Sequence, residues 1–246
     1  MAEDFVSVSH LTKRFGDLTV LSDISFSVRK GEFLCVVGPT GCGKTTFLSC
    51  LTGAYGVDSG SILLDGEKVD LKKRNIAYIM QEYSTLPWLT VRQNVAFGLT
   101  IKKRPRKEAR EKVEEVMEKV GLTAFADMYP RQLSASMLQR VSIARAFAVE
   151  PELLLMDEPY GQLDIDLRFK LEDELLRLWK ASGTTVIFIT HNIEEAVYLS
   201  QRILILTNKP TSIKDEIPVN LPHPRDVAAA DVVALRNRVT EEIKWW

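Results

Sequence analysis

The chain has 246 residues, of which 46% are hydrophobic, with 32 basic and 33 acidic side chains and a formal net charge of -1. This content is enough for a buried core, and the interspersed charges exclude a basic nucleic-acid-binding stripe and an acidic disordered tail. The cysteines, Cys35, Cys42 and Cys50, show neither CxxC spacing nor nearby histidines, which excludes a disulfide framework and a zinc site.

Alternating apolar residues between Phe5 and Val28 predict strands of a half-exposed antiparallel sheet. The continuous apolar run Phe33–Val37 predicts a buried strand, followed by a glycine-rich turn and a helix that starts at Lys44 and stops at Gly53. Further strand signals are Ser61–Leu64 and Ile76–Met80. Between them, Asp65-Gly66 predicts a hairpin turn.

The stretch Thr90–Ala148 has a helical pattern and predicts an inserted helical segment, in which one amphipathic helix opens near Pro105 and closes at Gly121. After it, strand and helix signals alternate, which predicts a parallel sheet covered on both faces. These signals are strands at Leu153–Met156 and Thr185–Ile189, helices at Leu167–Ala181 and Asn192–Leu199, a strand pair near Ile203–Leu206 and Ile213–Ile217, and a final helix from about Asp226.

The start of the chain and the lengths of its apolar runs bear on a membrane role. Met1–His10 carries acidic residues and an alternating pattern, so it does not predict a signal peptide. No stretch approaches the roughly 18 consecutive apolar residues that cross a bilayer. Any membrane role therefore requires another chain, and the cysteine usage favours a reducing cytosol.

The segment Gly38–Thr45 matches the phosphate-loop pattern GxxxxGK[ST] and lies between a predicted strand and a predicted helix. Glycines let backbone N–H groups surround phosphate oxygens, and the helix N-terminus adds its dipole. We expect Lys44 to reach the β- and γ-phosphates, Thr45 to ligate Mg²⁺ and Thr46 to help with the α-phosphate. The residues expected around the nucleotide phosphates are Gly38, Pro39, Thr40, Gly41, Cys42, Gly43, Lys44, Thr45 and Thr46. Kinases, GTPases and transport ATPases share this loop.

Two carboxylates, Asp157 and Glu158, follow the predicted strand Leu153–Met156, at the strand end where open α/β sheets bind ligands. We expect Asp157 to orient Mg²⁺ or its water. Glu158, facing the other way on an extended chain, is expected to accept a proton from a water that attacks the γ-phosphate. The alternative, two solvated acids at a strand end, is disfavoured by the phosphate loop upstream. The pair therefore predicts hydrolysis.

In its ordered motifs the sequence resembles the ATP-binding cassette ATPases over essentially the whole chain. The motifs that carry the resemblance are the phosphate loop, Gln81, Leu133–Arg140, Asp157-Glu158, Leu163-Asp164 and His191. The resemblance implies an α/β P-loop NTPase core with a mostly parallel central sheet, an N-terminal antiparallel β-subdomain and an inserted helical subdomain. The implied divisions of this single domain are a core in 1–89 and 150–225, a helical subdomain in 90–149 and a C-terminal helix in 226–246.

The resemblance also assigns roles to single residues. It implies that Phe15 stacks on adenine, that Gln81 touches Mg²⁺ and water, and that His191 reaches the γ-phosphate. Taken alone, a phenylalanine before a glycine is more often a core residue, and a lone histidine is more often structural. Asn192 after His191 predicts a helix N-cap, with Glu195 completing a capping box.

Three further segments resemble the importers of nitrate, sulfonate or taurine: Leu86–Thr90, Asp157–Asp164 and Leu221–Arg225. This implies a peripheral ATP-hydrolysing subunit at the cytoplasmic face of a bacterial or archaeal membrane. Its implied partners are a transmembrane permease, a second nucleotide-binding subunit and, indirectly, an extracytoplasmic solute-binding protein, with no nucleic acid. Trp88 as a core aromatic and Leu221–Pro224 as a plain rigid connector are the alternatives. We expect Trp245 and Trp246 to dock on a partner, with simple fraying of the last helix as the alternative.

The family signature, Leu-Ser-Gly-Gly followed by Gln or Met, is altered here. Ser134 and Met137 match it, whereas Ala135 and Ser136 replace both glycines. In the family this segment of one chain caps the ATP bound by the other, which places Ser134, Ala135 and Ser136 across a dimer. Their added Cβ atoms predict a slow homodimer. The alternatives are a Ser136 hydroxyl that substitutes as a donor, a heterodimer partner with an intact signature, or an engineered change.

Two other functions remain open at this point. An ATP-dependent regulatory switch with little hydrolysis would tolerate the altered signature. A small-molecule kinase would need an acceptor pocket in place of the signature and His191.

Overall fold

The structure is a computed structural model that describes residues 4–71, 73–161 and 163–243. The chain forms two compact units. The first unit extends to Arg74 and resumes at Thr185, and the second is Asn75–Thr184. Among the described residues, no helix is both long and apolar enough to span a membrane.

In chain order the elements are β1 (Asp4–Phe15), β2 (Leu18–Arg29), β3 (Phe33–Val37), α1 (Lys44–Leu51), β4 (Ser59–Leu64), β5 (Glu67–Lys68), β6 (Ile76–Ile79), α2 (Val91–Ile101), α3 (Arg106–Lys119), α4 (Ala135–Ala148), β7 (Leu153–Asp157), α5 (Ile165–Ser182), β8 (Thr185–Thr190), α6 (Ile193–Leu199), β9 (Arg202–Leu206), β10 (Ile213–Pro218) and α7 (Ala230–Ile243).

The N-terminal half of the first unit is an antiparallel sheet in the order β2-β1-β4-β5. Val6 of β1 pairs with Val28 of β2 on one side and with Leu64 of β4 on the other. The hairpin between β4 and β5 turns at Asp65 and Gly66, both with positive φ, as a two-residue hairpin turn requires. The predicted antiparallel subdomain is confirmed.

The remaining strands of the first unit surround β3, which pairs in parallel with β8 and with β9, while β10 pairs antiparallel with β9. Every residue of β3 is buried, as its continuous apolar sequence predicts for a parallel strand covered on both faces. In the second unit β6 and β7 pair in parallel, and α2 packs on α3 and α4. The predicted mostly parallel α/β core is confirmed.

Local capping explains where two helices begin. The Asp164 carboxylate accepts from the Leu167 N–H at 3.0 Å, so α5 starts two residues before the predicted Leu167. The predicted start of the last helix at Asp226 is wrong. The Asp226 carboxylate accepts from the Ala228 N–H at 2.9 Å, and this side-chain turn delays α7 to Ala230. Trp245 and Trp246 lie outside the described residues.

Candidate functional site

The phosphate-loop segment Gly38–Thr45 joins the end of β3 to the start of α1. Gly43 is the N-cap of α1 and has a φ of 113°, a conformation that side chains rarely adopt. A Cβ at Gly43 would also lie 2.7 Å from Val20 Cγ1, and one at Gly38 would lie 3.0 Å from Leu206 Cβ. Gly43 and Gly38 are therefore required by the packing of β2 and β9, respectively, against the loop.

Lys44 is the first residue of α1 and is only 5% exposed. Its ammonium donates to the carbonyl oxygens of Gly38 and Pro39, both at 3.0 Å, so it lies within the loop. Thr45 is exposed and Thr46 is half-buried. A lysine together with the N–H groups at a helix N-terminus makes an anion-binding arrangement.

Cys42 lies inside the loop but is fully buried. Burial raises the pKa of the Cys42 thiol, and the opposing charges of Lys44 and Lys209 do not cancel that effect. The thiol is therefore protonated at neutral pH, and Cys42 acts as a small filler behind the loop.

Phe15 ends β1 and is 44% exposed, so the alternative of a core residue is wrong. The ring of Tyr55 meets it edge-on, with centroids 5.4 Å apart and planes at 81°. The Lys13 ammonium lies 5.1 Å from the Phe15 ring centroid. These contacts hold an aromatic ring at the surface of the unit that contains the phosphate loop.

His191 is exposed between β8 and α6. The turn around it is fixed by Thr190, whose hydroxyl donates to the Glu195 carboxylate and accepts from the Asn192 N–H at 2.9 Å. Asn192 caps α6 as predicted, accepting from the Glu194 N–H at 2.8 Å. The predicted capping box is wrong, because the Glu195 carboxylate is bound to Thr190 and does not reach back to Asn192.

Asp157 is the last residue of β7 and is only 4% exposed. The Tyr78 hydroxyl, on the neighbouring strand β6, donates to Asp157 Oδ2 at 3.3 Å. Burial first, and the Asp157 charge second, raise the pKa of Tyr78 well above its ordinary value, so it stays a donor at neutral pH. Sequence reasoning missed Tyr78, because a tyrosine in a strand gives no sign of which neighbour its hydroxyl meets.

Glu158 follows Asp157 and is half-buried, with a φ of 44°. The extended chain predicted at this position is wrong. The strand stops at Asp157 and a turn follows, closed by the Gly161 N–H donating to the Glu158 carbonyl at 3.2 Å. Left-handed backbone at a residue other than glycine costs on the order of 1–2 kcal/mol.

Gln81 is exposed, two residues beyond the end of β6, at the start of a segment that leads to α2. Fully buried Asn94 of α2 holds this segment by accepting from the Leu86 N–H at 2.8 Å and donating to the carbonyl of Leu89 at 3.0 Å. Trp88 projects from the held turn and is 69% exposed. The alternative of Trp88 as a core aromatic is therefore wrong.

The altered signature begins α4. Ser134 is the N-cap, and its hydroxyl accepts from the Met137 N–H at 3.4 Å. The Ser136 hydroxyl lies 3.1 Å from the same Ser134 oxygen, within hydrogen-bond distance. Ser134 and Ala135 are exposed. The substitution of the second glycine thus adds a hydroxyl that engages the signature serine.

Arg225, in the proline-rich segment Leu221–Arg225, is only 6% exposed. Its guanidinium donates to the carbonyl oxygens of Val197 and Tyr198 near the end of α6, at 2.6 and 3.0 Å, and to that of Leu221 at 2.7 Å. Burial lowers the pKa of Arg225 to about 10, which leaves it charged at neutral pH. A buried arginine therefore anchors the segment to the end of α6.

Comparison with known proteins decides the family. The family model described as ABC transporter matches residues 21–161, more than half of the chain. This chain belongs to the ABC transporter family. It is accordingly an ATP-binding and ATP-hydrolysing cassette.

Two curated relatives of this ABC cassette cover nearly its full length. An aliphatic sulfonates import ATP-binding protein of Bacillus cereus is 41% identical over 97% of this chain and 96% of its own. An uncharacterized ABC transporter ATP-binding protein of Methanocaldococcus jannaschii is 41% identical over 97% of this chain and 91% of its own.

Solved structures show the same fold. The cbiO1 protein of Clostridium perfringens, part of an ABC transporter complex, has a TM-score of 0.79 and 25% identity over 87% of this chain and 88% of its own. A dimeric ATP-binding cassette in a post-hydrolysis state with ADP and Pi has a TM-score of 0.77 and 29% identity, covering 88% of this chain and 100% of that one.

Proposed function

We propose that this ABC ATPase powers the import of nitrate-, sulfonate- or taurine-like solutes through a separate transmembrane permease. The observation that carries the proposal is the full-length similarity to an aliphatic sulfonates import ATP-binding protein. In this proposal the chain is peripheral to the cytoplasmic face of the membrane. A second nucleotide-binding subunit and an extracytoplasmic solute-binding protein complete the system.

The proposed chemistry assigns one task to each candidate residue. Backbone N–H groups of Gly38–Thr45 and the Lys44 ammonium bind the phosphates, and Phe15 stacks on adenine. Glu158 accepts the proton of the attacking water, while Gln81 and His191 orient that water and the γ-phosphate. Ser134, Ala135 and Ser136 of the second subunit cap the same nucleotide. We propose the functional divisions 1–89 with 150–225, 90–149 and 226–246.

The oxygen donors available in this chain suit Mg²⁺. We propose that the Thr45 hydroxyl, the Gln81 amide oxygen and the Asp157 carboxylate hold it together with phosphate oxygens of ATP. Within the described ranges, no group of three or more His, Cys, Asp or Glu side chains is placed to hold a metal alone. When bound, Mg²⁺ offsets the negative charge of the phosphates.

We propose that the permease docks where Trp88 projects. Its turn is held by Asn94, and Arg145 of α4 donates to the Ser84 carbonyl at 2.8 Å, so the segment after Gln81 is fixed to the helices of its unit. A large exposed apolar side chain on a fixed turn is typical of an interaction site. The docking surface is defined here as Gln81–Val95.

Trp88→Ala is expected to reduce capture of the proposed transmembrane permease by at least about tenfold, since interface hot-spot tryptophans contribute about 2 kcal/mol or more. ATP hydrolysis by the isolated subunit should stay unchanged. Val227→Ala, which removes another exposed apolar side chain, is the matched control. Equal capture of the permease by both variants would remove Trp88 from the interface.

The solute is tested by reconstituting the subunit with that permease and binding protein in lipid vesicles. Taurine, an alkanesulfonate or nitrate should stimulate ATP hydrolysis. Stimulation by none of the three would contradict the proposed solute class. Failure to capture any polytopic membrane protein would favour the second candidate, an ATP-dependent switch with little hydrolysis, which the Ser134–Ser136 contact supports.

A further inference from the structure

The loop between β9 and β10 reaches the phosphate loop, although the sequence gives it no nucleotide motif. Two hydrogen bonds between Thr207 and Ser212 join the ends of this loop. The Thr207 N–H donates to the Ser212 carbonyl at 3.0 Å, and the Ser212 N–H donates to the Thr207 hydroxyl at 2.9 Å. This leaves Thr211 held in a defined position within the loop.

Thr211 is fully buried and joined to β2 through its backbone. Its N–H donates to the Val20 carbonyl at 2.9 Å, and its carbonyl accepts from the Ser22 N–H at 2.8 Å. Val20 is also the residue whose side chain closes the space behind Gly43. The β9–β10 loop, β2 and the phosphate loop therefore pack together at one point.

The Thr211 side chain completes this arrangement, because its hydroxyl donates to the backbone carbonyl oxygen of Cys42. The Cys42–Gly43 peptide group is planar, and in a trans peptide the C=O and N–H bonds point in opposite directions. A Cys42 carbonyl held toward Thr211 therefore turns the Gly43 N–H away from Thr211. Inward-facing N–H groups are what a phosphate loop offers its ligand.

We propose that Thr211 is a positioning residue, which keeps the Cys42–Gly43 peptide in the orientation that binds nucleotide phosphates. The inference rests on the proposed role of Gly38–Thr45. Without the Thr211 hydroxyl, the buried Cys42 carbonyl lacks this hydrogen-bond donor. Leaving it unsatisfied is costly, which favours rotation of the peptide group toward another donor. A carbonyl turned toward the phosphates repels them electrostatically.

Thr211→Val keeps the shape of the side chain and its backbone bonds but removes the hydroxyl. We expect the Kd for both ADP and ATP to rise about 3- to 10-fold, the effect of one buried hydrogen bond. We expect the KM for ATP to rise by the same factor and kcat to change less than about twofold, because ground-state and transition-state binding weaken together. Thr211→Ser, which retains the hydroxyl, should restore most of the affinity.

Thr207→Val is the control, since the Thr207 hydroxyl bonds to Asn208 and Ser212 within the same loop. It should lower the melting temperature while leaving nucleotide Kd unchanged. The Lys44→Ala variant distinguishes failure of the proposed phosphate site from failure of the positioning role of Thr211. If Lys44→Ala binds ATP as the wild type does, the proposed phosphate site is wrong. If Lys44→Ala loses ATP binding but Thr211→Val retains the wild-type affinity, only the positioning role is overturned. An equal rise in nucleotide Kd for Thr207→Val and Thr211→Val would also overturn only the positioning role.

Discussion

Glu158→Gln is expected to lower the kcat for ATP hydrolysis roughly 10²- to 10⁴-fold, the contribution of a positioned general base. Glutamine has nearly the same shape as glutamate but cannot accept the proton of the attacking water. Binding of ATP should be retained, because Glu158 is not among the residues proposed to hold the phosphates. We propose that ATP closes the dimer and hydrolysis reopens it, so ATP should convert the variant from monomer to a lasting dimer, measurable by light scattering after size exclusion.

The matched control is Glu118→Gln, which makes the same chemical change at an exposed position of α3 in the same unit. It should leave kcat and the oligomeric state unchanged. A Glu158→Gln variant that hydrolyses ATP at the wild-type rate would exclude Glu158 as the base. The left-handed backbone at Glu158 is compatible with glutamine, so loss of folding is not the expected cause of inactivity.

Restoring the signature with Ala135→Gly and Ser136→Gly is expected to raise the rate of ATP hydrolysis by roughly 10²-fold, with nucleotide affinity little changed. The loss of one positioned transition-state donor costs about 10² to 10³ in rate. In this chain the Ser136 hydroxyl lies 3.1 Å from the Ser134 oxygen, so it competes for the group proposed to approach the γ-phosphate. Removing both side chains frees Ser134 and allows a closer approach.

Single variants separate the effect of the Ser136 hydroxyl from the effect of the added Cβ atoms. Ser136→Ala removes the competing hydroxyl but keeps the Cβ, and Ala135→Gly removes only a Cβ. If Ser136 instead serves as a substitute donor, Ser136→Ala will lower the rate. Each glycine at the start of α4 is expected to cost up to about 1 kcal/mol of stability, so melting temperatures must accompany the rates. Equal turnover of the double variant and the wild type would contradict impairment by the altered signature.

Much of the fold could be predicted because its signals are local. The apolar run of β3, the turn at Asp65-Gly66 and the cap at Asn192 each lie within a few residues of the element they define. The phosphate loop is equally local, since one short pattern specifies the turn, the lysine and the helix start. These features depend on residues that are neighbours in the sequence, so they can be predicted without knowledge of the fold.

The contacts that refine the site could not be predicted, because they join residues far apart in the sequence. Thr211 and Cys42 are separated by 169 positions, and Tyr78 and Asp157 by 79. The left-handed conformation of Glu158 depends on a turn that overrides the expected continuation of β7. Likewise, Phe15 and Trp88 have apolar side chains, and only the folded chain shows that both are exposed.

The central claim is that this chain is an ATPase that works as a dimer. The most direct test is the fate of the γ-phosphate when increasing concentrations of the purified chain are incubated with Mg²⁺ and γ-labelled ATP. We predict that the label appears as inorganic phosphate, at a rate per chain that rises with concentration as dimers form, and that Lys44→Ala abolishes its release. Label transferred to an acceptor molecule, or a rate per chain that is independent of concentration, would contradict the account.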